Sequence, residues 1–161
     1  TRIDLIREIN VFEKSASHML KRHGVSMSIM DGTNGIARVL MRPESFTQVL
    51  HVHLSNALNS VRRTNKKKMI RIRIERHGDD SCQLTFQDNG SGIGDDAAER
   101  IFESGFTAKE NSRGMGLTVA RNLLRRVGGD ISLVRDRRRR GWTTFKITLK
   151  TKKPRLTSYE Y

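Results

Sequence analysis

The sequence predicts an α+β two-layer sandwich, a mixed and mostly antiparallel sheet covered by three helices. Three observations predict it. Apolar residues alternate over Met69 to Glu75 and again through Leu84 and Phe86, the period of half-buried strands. Apolar residues recur every three or four positions over 3–22, 46–61 and 117–127, the period of amphipathic helices. The strands and helices do not follow the strict alternation of a doubly wound parallel sheet, which favours a segregated α+β arrangement.

The elements follow in order. Residues 3–22 read as a helix, with Ile3, Ile6, Ile9, Phe12 and Leu20 on its stripe and Gly24 ending it. Val25, Met27 and Ile29 alternate as a short strand. Asp31-Gly32-Thr33-Asn34-Gly35 is turn chemistry, and Ile36 to Met41 is expected to return as the partner strand of a hairpin. Pro43 sits just inside a helix start, where its missing N–H costs nothing. That helix carries Phe46, Val49, Leu50, His53, Leu54, Ala57, Leu58 and Val61. His77-Gly78-Asp79-Asp80 joins two strands, the second ending at Asp88. Residues 95–102 read as a short helix, 104–113 as a loop, and Gly114 to Val127 as a helix stopped by Gly128-Gly129. Ile131 to Arg135 and Trp142 to Lys150 close a single domain over residues 1–150, leaving 151–161 as a tail.

Composition narrows the class. The 161 residues hold one cysteine, Cys82, which excludes an internal disulfide and a thiolate metal site. No run approaches the roughly 20 apolar residues of a membrane span, and no charged-then-apolar segment marks export. A cytoplasmic setting is expected, including that of the cytoplasmic part of a longer, membrane-bound sensor. No membrane contact is expected from this segment. The formal charge is +14, concentrated in Arg62 to Lys68, Arg125-Arg126 and Arg135 to Arg140. No aromatic residue is interleaved with these runs, and no helix-turn-helix or zinc-finger spacing appears. They read as solvated loops or docking sites for an acidic protein, with nucleic acid set aside as a partner. The basic turn at Arg137 to Arg140, far along the chain from the glycine motifs, is expected to stand apart from them.

Four segments carry the chemistry. They are Asn56 on the second helix, Asp88-Asn89-Gly90-Ser91-Gly92-Ile93, Phe102-Glu103-Ser104-Gly105-Phe106-Thr107-Ala108-Lys109, and Gly114-Met115-Gly116-Leu117. An asparagine amide oxygen suits one position in the octahedral shell of a magnesium ion whose other ligands are waters and phosphates. A carboxylate ending a strand can accept a proton from an exocyclic amine, a charged hydrogen bond worth about 1.5–3 kcal/mol. Glycines at 90 and 92 allow close backbone approach. A helix opening on Gly114-Met115-Gly116 presents free N–H groups to an anion, flanked by Lys109 and Arg113.

Over residues 44–150 the order and spacing of these segments resemble the GHKL ATPase superfamily: gyrase-type topoisomerases, heat-shock chaperones, mismatch-repair ATPases and histidine kinases. Gln48-Val49-Leu50, Leu54-Ser55-Asn56-Ala57-Leu58, Ile101-Phe102-Glu103 and Phe106-Thr107 resemble the histidine-kinase branch, and residues 1–43 fit its opening helix and hairpin. The resemblance implies the Bergerat ATP-binding fold and ATP and Mg2+ as cofactors. It implies that Asn56 holds the magnesium ion and that Asp88 reads adenine. The remaining nucleotide contacts it implies are Asn59, Gly90, Gly92, Ile93, Phe106, Thr107, Lys109, Arg113, Gly114, Met115, Gly116 and Leu117. Asn56 and Lys109 are the expected catalytic pair. Thr143-Thr144-Phe145 resembles the last family box, with Thr144 expected to support the purine. An upstream dimerisation and phosphoacceptor domain and a response regulator are the implied partners.

The chain departs from the pattern at Val52, one helical turn before Asn56. The hydrolase branches carry glutamate there to activate water, and valine can neither take a proton nor bind a metal. Trp142 stands where the family often has glycine, and Ser112 replaces the first glycine of the last lid motif. None of His18, His23, His51 or His53 sits in a phosphoacceptor pattern. The expected function is therefore transfer of the ATP γ-phosphate to a histidine on a separate domain. The alternatives are a catalytically reduced nucleotide-binding module and a nucleic-acid-associated ATPase.

Overall fold

A computed structural model describes residues 1–103, 116–135 and 141–153. It begins with a short strand, β1 (Arg2–Asp4), and helix α1 (Leu5–Arg22). Asp4 caps α1 by accepting the Arg7 N–H at 3.2 Å. Strands β2 (Val25–Asp31) and β3 (Arg38–Leu40) precede helix α2 (Pro43–Val61), which has its proline in the first turn. The hairpin β4 (Lys68–His77) and β5 (Ser81–Asp88) follows. Then come the one-turn helix α3 (Asp95–Ala98), helix α4 (Gly116–Arg125), and strands β6 (Asp130–Val134) and β7 (Thr143–Lys150).

The main sheet has the order β2-β4-β5-β7-β6, and only the β2–β4 pair is parallel. The connection from β2 to β4 passes through α2, the crossover that parallel strands require. Ile70, Ile72, Ile74, Leu84, Phe86, Ile131, Phe145 and Ile147 point from the sheet into the core. Leu5, Ile9, Phe12 and Leu20 of α1, Phe46, Leu50 and Leu54 of α2, and Ala120 and Leu124 of α4 meet them. This is the sandwich that the periodicity predicts, with α1, α2 and α4 as its helical layer.

Three expectations about elements are corrected. Residues after the Asp31 turn do not return along β2: β3 pairs with β1 in a separate two-stranded sheet, and β2 pairs with β4. The turn chemistry itself is present, since Asp31 accepts hydrogen bonds from the Thr33 N–H, the Thr33 hydroxyl and the Gly35 N–H. Alternation tells which residues share a face but not which strand supplies the partner, and the Gly32 N–H already donates to Ile74 of β4 at 2.7 Å. The first helix accordingly begins at Leu5 rather than Ile3, because residues 2–4 are held by β3. The helix expected over 95–102 is regular only to Ala98 and continues as turns.

His53 of α2 lies inside the core, 1 % exposed, between the rings of Phe86 and Phe145 at 5.3 and 5.1 Å. Neither ring nitrogen has a hydrogen-bond partner. Burial pushes its pKa down from 6.5 to about 3. A depressed histidine pKa leaves stability intact above the unfolded value and removes it as pH falls below that value. Between pH 6.5 and about 3 the loss is about 1.4 kcal/mol per pH unit. Urea unfolding is therefore expected to show the chain about 2–3 kcal/mol less stable at pH 4.5 than at pH 7, with His53→Leu removing most of that slope. Equal slopes in the two proteins would place the acid sensitivity elsewhere.

Candidate functional site

The exposed edge of α2 lines the site. Val52, Asn56 and Ser60 are spaced four residues apart, so they follow one another along one side of the helix at about 6 Å intervals. Each has a different neighbour. A methyl group added to Gly116, at the start of α4, would lie 3.3 Å from Val52 Cγ1, so the two touch. At the other end the Ser91 N–H donates to the Ser60 carbonyl at 3.1 Å, joining α2 to the loop after β5. Asn56 stands half-buried between them. The helix thus connects the α4 N-terminus to the Asp88 loop over about 12 Å. Asn59 falls on the exposed flank of α2.

Asp88 ends β5, faces the helical layer and is 5 % exposed. One carboxylate oxygen accepts the Gly90 N–H at 2.9 Å. Burial pushes its pKa above the ordinary carboxylate value, opposed by the Gly90 N–H and by the nearby Ser60 hydroxyl. The Ser60 hydroxyl is close enough to favour the ionised form, yet neither it nor the Thr143 hydroxyl makes a hydrogen bond of sound geometry, although both are buried. Thr143 is Asp88's cross-strand partner on β7. A buried carboxylate flanked by two unsatisfied hydroxyls is costly unless something supplies partners.

The loop that follows is shaped by packing. Gly90 presses on α2 so closely that any β-carbon there would collide with the Ser60 carbonyl. The glycine is thus required by the helix, where the sequence suggested room for a ligand. Asn89 does structural work as well, accepting the Met69 N–H at 2.8 Å and donating to the Lys67 carbonyl at 2.6 Å. Gly92 has a φ of 79°, the left-handed region that favours glycine, and its α-carbon faces Thr143. Ile93 is half-buried against the core, and its carbonyl accepts from Arg135 at 2.9 Å.

One expectation about position changes here. Thr144 is on the opposite face of the sheet, where its hydroxyl accepts from Gln87 at 3.0 Å. Thr143 shares the face of Asp88, a placement that the sequence reading did not single out. The alternation of buried Phe145, Ile147 and Leu149 was the signal that could have found it. Arg135, which precedes the basic turn, reaches Ile93 and pairs with Asp95. Arg137 to Arg140 lie outside the described residues, as do Phe106, Thr107, Lys109, Arg113, Gly114 and Met115. Gly116 and Leu117 form the visible start of α4. Thr118 anchors that start by donating to the Phe102 carbonyl at 2.9 Å.

A second cleft, of about 550 Å³, opens between α3, α4 and β6. Its two arginines are already engaged. Arg135 pairs with Asp95, and Arg121 pairs with Asp130 while lying 4.5 Å over the Phe102 ring. Among the described residues the buried hydroxyls without partners are those of Ser60 and Thr143, beside Asp88, which is where a ligand has chemistry to complete.

Comparison with known proteins finds the same fold. Sensor histidine kinase ZraS of Salmonella typhimurium is 33% identical over 98 residues, 61% of this chain and 20% of ZraS. The chain spans about a fifth of the length of the curated relatives it matches. The catalytic domain of histidine kinase ThkA superimposes with a TM-score of 0.80 at 21% identity, over 94% of this chain and 95% of that domain. ThkA in complex with the response regulator protein TrrA matches with a TM-score of 0.76 at 20% identity, over 94% of this chain and 42% of that one. These likenesses share the fold described above. The family model of histidine kinase-, DNA gyrase B- and HSP90-like ATPases matches residues 41–153, from the strand before α2 to the end of β7, and the chain belongs to that family.

Proposed function

We propose that this chain is the catalytic part of a sensor histidine kinase, binding magnesium–ATP and handing its γ-phosphate to a histidine on a separate dimerisation domain. The observation that carries the reading is the buried Asp88 carboxylate between two hydroxyls that lack partners. That set fits adenine, whose exocyclic amine donates and whose ring nitrogen accepts. Bound magnesium–ATP supplies the transferable phosphoryl group and the charge neutralisation it needs.

This chain's residues supply the rest. Asp88 accepts from the adenine amine, with Thr143 and Ser60 completing the polar end and Ile93 covering the ring. Asn56, midway between Val52 and Ser60 on α2, offers its amide oxygen to the magnesium ion. Gly116 and Leu117 belong to a helix N-terminus whose N–H groups and dipole favour phosphate. The family resemblance assigns Phe106, Thr107, Lys109, Arg113, Gly114 and Met115 to the phosphate end, with Lys109 neutralising the transferring group. Catalysis is then positioning and electrostatic stabilisation. The ThkA–TrrA complex supports a response regulator as the downstream partner.

A second reading has one observation behind it. Val52 fills the place of a polar residue against the start of α4, which is consistent with a nucleotide-binding module that no longer catalyses. Calorimetry tests the part both readings share. ATP and ADP are expected to bind and GTP to bind at least tenfold more weakly, since about 1.4 kcal/mol is a factor of ten. Asp88→Asn should weaken ATP binding by about tenfold or more and Thr143→Val by a few-fold, whereas Thr144→Val should leave it unchanged. Equal affinities for ATP and GTP would overturn the assignment of Asp88.

A further inference from the structure

Cations that are scattered along the sequence meet at one end of the sheet. Val25 pairs with Lys68, so the last turn of α1, with Lys21 and Arg22, lies beside the connection from α2 to β4. That connection exposes Arg62, Arg63, Lys66 and Lys67. Asn89 clamps it in place through the Lys67 carbonyl and the Met69 N–H. Two residues beyond Met69, Arg71 projects from the outer face of the sheet with its guanidinium 4.2 Å over the Trp142 ring. Among the described residues, no carboxylate forms an ion pair with any of these cations. The outer face beside them is mainly polar, with Ser28, Arg71 and Gln87 in one cross-strand row and Met30, Arg73 and Thr85 in the next.

We infer that this end of the domain binds the backbone of a double-stranded nucleic acid, independently of its sequence. Unpaired lysines and arginines at this density attract a polyanion and release its counterions on contact. Phosphate contacts are completed by serine, threonine and glutamine side chains, which the adjoining sheet face supplies. A protein partner would call for an apolar centre. The exposed apolar side chains Val11, Met19, Met30, Ile36 and Val134 are dispersed over α1, β2, β6 and the segment after β2, and form no such centre. A single strand would need free aromatic rings, and the ring of Trp142 is occupied by Arg71. The sequence alone set nucleic acid aside because its basic runs lack aromatics. A duplex backbone needs none, and the fold brings the run from Arg62 together with Lys21, Arg22 and Arg71.

The test is fluorescence anisotropy of this chain with a labelled random-sequence 20-base-pair DNA, at salt concentrations from about 50 to 200 mM. Binding is expected, with affinity falling linearly on a log–log scale at about 0.9 per phosphate neutralised. Replacing Arg62, Arg63, Lys66 and Lys67 by glutamine should weaken binding by at least about a hundredfold near 0.1 M salt and flatten the slope by about three to four. A control replaces Arg2, Arg7, Arg38 and Lys152, all exposed and at the other end, and should change affinity less than about threefold. Thermal melting verifies that both sets fold, and a fourfold serine set serves if the glutamine set does not. Equal losses in the two sets would show that net charge alone attracts the DNA and would overturn the proposal. So would absence of duplex binding together with capture by phosphatidylserine vesicles, which would assign the patch to a membrane surface.

Discussion

Gly90→Val is expected to cost at least about 3 kcal/mol of stability, and Gly90→Ala nearly as much. Overpacking a core side chain typically costs about 1–3 kcal/mol because neighbouring side chains can turn aside. Here the obstacle is the backbone carbonyl of Ser60, in the last turn of α2, which cannot turn aside without breaking the helix. The only relief is to lift the Asp88 loop from α2, which breaks the hydrogen bond from the Ser91 N–H to the Ser60 carbonyl and that from the Gly90 N–H to Asp88. Two losses should appear together: a lower unfolding midpoint in urea and weaker ATP binding, because the same displacement moves the Asp88 carboxylate. Gly94→Ala, in the same loop with nothing near its α-carbon, is the contrast and should change the midpoint by less than about 0.5 kcal/mol. A Gly90→Ala protein as stable as the parent would mean that the loop and helix are further apart than described here.

Asn56→Ala is expected to weaken ATP binding at least tenfold in magnesium, about 1.4 kcal/mol or more, and by less than about twofold in excess chelator. The side chain stands on α2 midway between Val52 and Ser60, between the α4 end and the Asp88 end. It is therefore placed to act on what links base and phosphates, through the ion rather than through the base. Asn56→Asp separates this role from a structural one, since a carboxylate oxygen still ligates magnesium while shifting the pH dependence of binding. A loss of equal size with and without magnesium would make Asn56 a packing residue. Asn59→Ala, on the exposed flank, should have the smaller effect.

The layers of the fold were legible because their residues are governed by local periodicity. The alternation of Ile70, Ile72 and Ile74 marks an inward strand face whatever its neighbours, and the spacing from Phe46 to Val61 marks a buried helix stripe. Pairing was less legible. Alternation in β2 is satisfied equally by β3 or β4, and the choice is made by the crossover through α2, which leaves no local mark. The same limit applies at the site. Asp88 was recognisable from its motif, yet the choice between Thr143 and Thr144 depends on which face of β7 each occupies, and the motif was read without its strand phase. Phase also separates His53 from a functional histidine, since the stripe assigned it to the core, where Phe86 and Phe145 enclose it. The reason for Gly90 could not be read at all, because it lies in Ser60, thirty positions earlier and on another element. The gathering of Lys21, Arg62 and Arg71 depends likewise on the β2–β4 register.

Water requires a base or a positioned polar group before it attacks phosphate, and the residue one turn before Asn56 is Val52, in contact with the start of α4. An apolar side chain there orders no water. A histidine acceptor brings its own nucleophilic nitrogen, so transfer does not need that base. Incubation with ATP labelled in the γ-phosphate separates the outcomes. The account predicts that the full-length protein becomes labelled on a histidine, acid-labile and alkali-stable, while this chain alone binds ATP but releases less than about one phosphate per minute, against typical enzyme turnover of about 10 per second. Asn56→Ala should abolish the label. Steady phosphate release by this chain at about one per second, lost in Asn56→Ala, would contradict the account and make the domain a hydrolase.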